Sequence, residues 1–420
     1  MRKPIIPRSV TALAVVAILA GAAACSGGAG SYVPPADDRS PDAVQRQTLT
    51  ARALPGQPTP TPVPTQAPLV SSVLCTAGLG ANCHVLQNTA LAPLVDALGL
   101  LIPGLHPSDL RSAYGLSPLP LLSGLLGNST VPKGPIIAIV DAFDYPNAEH
   151  DLGVYRNRMG LGPCTTANGC FQKLNKDLKK GPYPSSNGGW TAEAALDLAM
   201  ASAACPTCRI ALVEADNDDL DSLAALVDAL TAKGSRVVPA AISNSYGVRE
   251  SSDFVAMDAH FNHPGFPIVA SAGDERAVEF PASSSHVIAV GGTTLQRQLL
   301  SARGWSESPW ASSGNGCSAY FAAGSWQHSG CGKRSVADLA VVADLNPGIA
   351  VYNSAAGGWV VYGGTSAGAP FVAGLFAAAN DYPASGDGAA PMYAKAAHLN
   401  ALAGAAANIA LGTPNGLGAF

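Results

Sequence analysis

Charge is scarce in this chain. Of 420 residues only 13% are Asp, Glu, Lys or Arg, and the formal net charge is −5. No basic cluster interrupts that balance, which argues against a nucleic acid as partner. No second Cys-x-x-Cys accompanies Cys205-Pro206-Thr207-Cys208, so a zinc site built from two such pairs is excluded. None of the eight histidines is followed by glycine, and no Asp or Glu occurs after Asp387. The apolar stretch from Val10 to Ala24 is too short for a comfortable membrane span. Apolar residues, in contrast, make up 48% of the chain, enough for one sizeable α/β domain with an N-terminal extension. The 45 glycines and 33 prolines predict many loops, and the prolines crowd towards the front.

Arg2, Lys3 and Arg8 precede the apolar stretch, and small residues lead to Cys25, the pattern of a secretory signal over 1–25. Ala22-Ala23-Ala24-Cys25-Ser26 is similar to a bacterial lipoprotein cleavage site, with Cys25 acylated after cutting. Cleavage after an Ala-x-Ala, with full secretion, is the competing reading. Both put the chain outside the cell or on the outer face of its membrane, and only the first gives it a lipid contact, through Cys25. Residues 26–70, with Pro58-Thr59-Pro60-Thr61-Pro62, read as a disordered or polyproline-like spacer. Residues 71–105 form a short apolar, pro-like extension, and 106–420 the main domain. Setting Cys25 aside, eight cysteines fall into close pairs: Cys75 with Cys83, Cys164 with Cys170, Cys205 with Cys208, and Cys317 with Cys331. An even number in an exported chain reads as disulfides closing short loops.

The most informative stretch is Gly363-Gly364-Thr365-Ser366-Ala367-Gly368-Ala369-Pro370, between the apolar Trp359–Tyr362 and the helix-forming Phe371–Ala379. It predicts a strand, a glycine turn and a helix whose first turn carries Ser366. Unpaired N–H groups at such a helix start can hold a developing oxyanion. In Trp190–Met200, Glu193 and Asp197 stand four residues apart on an alanine-rich helix and project from one face. On a surface two like charges at that spacing only repel. In a cleft the same repulsion raises one pKa and makes an acid/base pair. Pro267–Asp274 reads as a buried strand ending in a Gly-Asp turn.

Together these segments resemble the sedolisins, the serine-carboxyl peptidases built on the subtilisin fold. Ile242–Gly247, Gly316-Cys317-Ser318 and Ala337-Asp338-Leu339-Ala340 fall in the family's order, and the likeness runs from about Leu110 to Phe420. The resemblance implies Ser366 as nucleophile, Glu193 as general base and acid, and Asp197 as the residue that orients and tunes Glu193. It makes a protonated Asp274 the oxyanion donor. Asn244, Ser245, Tyr246 and Gly247 would line the cleft for a protein or peptide substrate. No cofactor is implied for the chemistry. An unperturbed glutamate has a pKa of about 4.3, so a glutamate base with a protonated aspartate donor predicts activity at acidic pH.

Strands are expected at Ile136–Val140, Arg209–Val213, Val237–Ile242, Ile268–Ser271 and Val287–Val290. Helices are expected at Ala192–Ala204, Leu220–Ala232 and from Ser366. Apolar strands alternating with helices predict an α/β fold, a mostly parallel sheet with helices on both faces. Asp141, at its strand end, reads as structural. Two departures from the family stand out. The 80 or so residues between Cys25 and Pro107 leave little room for its large folded propeptide. Its C-terminal calcium segment is reduced to Leu399-Asn400-Ala401-Leu402-Ala403-Gly404 and Gly412-Thr413-Pro414-Asn415-Gly416, without carboxylates, so that site looks lost. These departures support a rival reading, a catalytically silent subtilisin-like domain used as a surface scaffold. An esterase or other acyl-transfer enzyme would share the nucleophile chemistry.

Overall fold

The computed structural model describes residues 71–75, 80–90, 102–119, 131–402 and 410–420. All lie within one compact unit, Pro64–Phe420. The signal region, Cys25 and the spacer lie outside the described residues.

Its centre is an eight-stranded sheet. Ile136–Ala142 (Ile-Ile-Ala-Ile-Val-Asp-Ala) is buried along its whole length, as an apolar strand must be when parallel neighbours flank it and helices cover both faces. Those neighbours are Arg209–Ala215 and Ala241–Asn244. Phe171–Asn175 continues the sheet on one side, and Ile268–Ser271 and Ile288–Arg297 on the other, all parallel. Trp305–Pro309 joins Ile288–Arg297 antiparallel, and Leu339–Val342 pairs with it in parallel.

Several elements differ from their expected bounds, three of them for reasons the residues make plain. The strand anticipated over Val237–Ile242 begins only at Ala241, because Pro239 has no N–H to donate and Val238 is exposed. The strand at Val287–Val290 spans Ile288–Arg297 instead, its β-branched Thr293 and Thr294 extending it into the Trp305–Pro309 hairpin. Ser366 lies in a 3-10 turn, Thr365–Ala367, and the α-helix starts after it, at Gly368.

Helix Gly188–Ala204 carries the acidic pair. Asn187 caps it, its side chain accepting from the N–H groups of Gly189 and Trp190. From Trp190 onward every residue of this helix is buried, since it packs between the sheet and the serine helix Gly368–Ala379. The two helices touch closely at Gly374, where a β-carbon would sit 2.6 Å from that of Ala204. Ala337-Asp338-Leu339 is locked by a buried bidentate pair, Arg334 donating through both Nη atoms to Asp338, which also accepts from the Ala289 N–H at 2.8 Å.

The N-terminal segment is built into two further sheets. Asn82–Cys83 pairs antiparallel with Tyr246–Arg249, which also holds Glu279–Phe280. Leu86–Asn88 pairs with both Ser71–Val73 and the hairpin strand Gly358–Gly363. The structure bonds Cys75 to Cys83, Cys164 to Cys170, Cys205 to Cys208 and Cys317 to Cys331. No helix among the described residues is long and apolar enough to cross a membrane.

Candidate active site

The carboxyl ends of parallel strands are where α/β sheets place their reactive groups. Here that edge carries Asn244, the turn after Ser271 that holds Asp274, and Asp141. The acidic helix and the Thr365–Ala367 turn close over it. Glu193, Asp197 and Ser366 are fully buried.

Ser245 Oγ donates to both oxygens of Asp197 at 2.8 Å. The Ser366 hydroxyl makes a long contact to the Ser245 carbonyl, 3.4 Å. Neither oxygen of Glu193 has a hydrogen-bond partner of good geometry. Burial, and then the charge of Asp141, raise the Glu193 pKa, while the Ser366 hydroxyl and His84 pull it down. Asp197 is raised by burial, then by Asp141 and Glu193, against the Ser245 hydrogen bond. Asp141 has no hydrogen-bond partner at either oxygen, and burial pushes it up to about 8. Three buried carboxyls are thus all raised, Glu193 and Asp197 each in part by the charge of Asp141. Asp141 is therefore part of this cluster and not merely the end of a strand.

Asp274 Oδ1 accepts from Thr365 N and Oγ1, each at 2.8 Å, which fixes the carboxyl. Its Oδ2 is buried without a partner. Burial raises Asp274 to about 6, against the pull of His84 and the Thr365 hydrogen bonds.

The cleft is filled by the chain itself. Asn82 and Cys83 lie opposite Gly247 and Tyr246, and the His84 N–H donates to the Ser245 carbonyl at 3.4 Å. The His84 carbonyl accepts from the Ser366 N–H, also at 3.4 Å. A β-carbon on Gly364 (φ 100°) would meet that carbonyl oxygen at 2.0 Å and Asp274 Oδ2 at 2.6 Å, so the orphaned oxygen and the carbonyl share one small space. The His84 imidazole sits in a polar pocket, 2.7 Å from Ser271 Oγ and 2.7 Å from Glu279 Oε2. Burial lowers the His84 pKa, but the Glu279 carboxylate more than offsets this and lifts it to about 9. Gly247 leaves room for this ring: a β-carbon there would lie 2.6 Å from Glu279 Oε2 and 3.0 Å from His84 Cε1.

The structure thus brings Ser366 and Asp274 beside one peptide carbonyl, with Glu193 near Ser366 and Asp197 near Glu193. Of the cleft-lining set, Ser245, Tyr246 and Gly247 face the occupying segment through their backbone. Asn244 points away and donates to the Val269 carbonyl, with Tyr246 Oη donating to it. Sequence reading missed His84, Glu279 and Ser271. The one signal available was a histidine between Cys83 and an apolar run. Gly364-Thr365-Ser366-Ala367-Gly368 has the Gly-x-Ser-x-Gly letters of an esterase elbow. No histidine reaches Ser366 Oγ among the described residues, and its acid/base neighbour is Glu193.

At the C-terminal end, Asn400 and Thr413 bond to each other, N–H to carbonyl in both directions at 2.8 and 3.0 Å. Asn400 Nδ2 donates to the Pro414 carbonyl, and Thr413 Oγ1 to Glu307 Oε2. These residues offer a calcium ion no free carboxylate and do not fit one. Among the described residues no group of three or more His, Cys, Asp or Glu is placed to hold a metal.

A subtilisin-like α/β domain with a serine set among carboxylates is the class that this fold and site define. No family model matches the chain. Kumamolisin of Bacillus sp. (strain MN-32) is 33% identical over 223 residues, covering 45% of this chain; the match spans 39% of kumamolisin's length. Pseudomonas sedolisin, a serine-carboxyl proteinase solved with two molecules of pseudo-iodotyrostatin, is similar in fold: TM-score 0.55, 23% identity, 72% of this chain and 89% of that one. The chain is thus similar in fold to Pseudomonas sedolisin, and in sequence to kumamolisin over less than half of its length.

Proposed function

We propose that this chain is an exported serine-carboxyl endopeptidase that cleaves peptide bonds at acidic pH. The observation that carries the reading is the His84–Val85 peptide, whose carbonyl lies at the Ser366 N–H beside Asp274 Oδ2. In the proposed cycle Ser366 Oγ adds to the carbonyl carbon as Glu193 takes its proton. The oxyanion is met by the Ser366 N–H and the proton on Asp274 Oδ2, both already aimed there. Asp197, held by Ser245, sets the position and basicity of Glu193. The C–N bond breaks, Glu193 returns the proton to the leaving amine, and water completes hydrolysis by the reverse sequence.

The pH dependence follows from two opposed requirements. Glu193 must be ionised to accept the proton, and its raised pKa limits activity from below. Asp274 must be protonated to donate, and it loses that proton above about 6. The test is cleavage of a denatured protein from about pH 3 to 8 by the parent, Ser366→Ala and Glu193→Ala. Acid-dependent cleavage lost in both variants is the expected result. A histidine-like optimum near neutrality, or full activity in Glu193→Ala, would refute the roles.

We propose also that the C-terminal junction holds together without calcium, through the Asn400–Thr413 pairing, and that Cys25 is the only lipid contact. The filled cleft favours one second reading, a silent scaffold, for which none of the three proteins would cleave at any pH.

A further inference from the structure

The occupying segment is held on both sides of the peptide bond that faces Ser366. On the His84 side, Asn82 and Cys83 pair with the cleft wall, Ala81 N–H donates to the Asp218 carbonyl at 2.7 Å, and the imidazole is fixed by Ser271 and Glu279. On the Val85 side, Leu86 and Gln87 pair with Gly363 and Tyr362, and Asn88 Nδ2 donates to the Leu345 carbonyl. Ser71–Val73 bridges the two sides. It pairs along Leu86–Asn88, and two residues later Cys75 is bonded to Cys83, beside His84. Leu74 and Cys75 also press on the start of the acidic helix, where a β-carbon on Gly189 would meet the Leu74 carbonyl at 2.6 Å and Cys75 Sγ at 2.9 Å. A substrate held only by its non-prime side departs once cut. Here the disulfide ties the His84 end to the strand that holds the Val85 end.

We propose that residues 80–90 are a built-in, substrate-like inhibitor of this cleft, cut reversibly at His84–Val85 and released when the Cys75–Cys83 disulfide is reduced. This rests on the peptidase reading above. Ser366 Oγ bonds to the His84 carbonyl carbon, the bond to the Val85 nitrogen breaks, and that nitrogen leaves as an amine with the proton from Glu193. The amine stays paired through Leu86 and Gln87, beside the ester, and re-attacks it, expelling Ser366 and restoring the peptide. Water gains access only when the Val85 side leaves. A dithiol reductant converts the disulfide to two thiols and is itself oxidised to a disulfide. The His84 end then loses its covalent tie to Cys75, the preorganisation is lost, and the segment competes poorly with substrate.

The test measures hydrolysis of a denatured protein at pH 5 by the full chain, with and without a dithiol, alongside the double variant Cys75→Ser/Cys83→Ser. The double variant separates this disulfide from the other three. The expected result is weak activity in the oxidised parent and a gain of roughly tenfold or more on reduction, with the double variant active without reductant. His84→Glu, which sets a carboxylate against Glu279, is expected to show the same gain and covers a double variant that fails to fold. Mass spectrometry of the oxidised parent should find intact chain together with fragments ending at His84 and beginning at Val85, and Ser366→Ala should be intact throughout. Equal activity of oxidised parent, reduced parent and both variants would overturn the inhibitor and leave the peptidase standing. No cleavage by any of them would overturn the peptidase reading, and the inhibitor with it.

Discussion

Replacing Asp141 with asparagine should make the protein more stable at neutral and alkaline pH while leaving it little changed in acid. Asp141 is fully buried, has no hydrogen-bond partner, and faces Glu193 and Asp197. Its folded pKa is raised from 3.8 to about 8. Between those values the folded chain holds a proton that the unfolded chain has released. Stability therefore falls as pH rises through this window, the reverse of the behaviour of a salt-bridged carboxylate. Each pH unit crossed costs about 1.4 kcal/mol for one such group. Across the window that is about 6 kcal/mol, an upper bound because the neighbouring acids titrate together with Asp141.

Calorimetric Tm values of parent and Asp141→Asn from pH 4 to 8.5 test this. The two should nearly coincide at the acid end, and the variant should gain steadily with pH, by up to the order of 10 °C at pH 8. Paired surface carboxylates titrate alike in both proteins and cancel in the difference. Parallel curves across the whole range would refute the account of a shared, proton-holding acid cluster.

Two further predictions concern the oxyanion site and the C-terminus. Thr365 N and Oγ1 both donate to Asp274 Oδ1, so in Asp274→Asn the carbonyl takes that place and the amide N–H replaces the titrating proton. In the Cys75→Ser/Cys83→Ser background, the alkaline limb near pH 6 should move upward in Asp274→Asn, whereas Asp274→Ala should lose about 10²–10³ in kcat; an unmoved limb counts against Asp274 as donor. With Asn400 and Thr413 bonded directly to each other, a chelator should leave Tm unchanged, and a drop of several degrees would show that a metal supports this junction.

The sheet and the candidate site side chains were legible because each is encoded locally. A wholly apolar run such as Ile136–Val140 can only be an interior strand, and two acids four residues apart in an alanine-rich segment can only share one face of a helix. Ser366 was placed correctly at a helix start but in the wrong turn. Gly364 at φ 100° turns the chain sharply, and one 3-10 turn intervenes before the α-helix begins. Asp141 was read as structural, and its electrostatic neighbours, Glu193 and Asp197, are not its strand neighbours. They sit on a helix that crosses that strand's end, and nothing within five residues of Asp141 records the crossing.

His84 was hidden for a related reason. Recognition of an extended segment in a cleft is made largely by main-chain pairing, and backbone groups leave no trace in a sequence. Only alternate side chains report it, and here the informative ones lie far apart. They are His84 itself, Glu279 in the pocket, and the glycines at 247 and 364, where any β-carbon would collide with the imidazole or with the carbonyl oxygen. Each is unremarkable alone. Their common feature is that each makes space or charge for the same residue. A folded prodomain restrains a cleft through a broad interface, whereas this segment is short, and a disulfide beside His84 supplies the rigidity that area would otherwise give. The short extension and the cysteine pair within it are then one device, and loosening either strand of it should open the cleft.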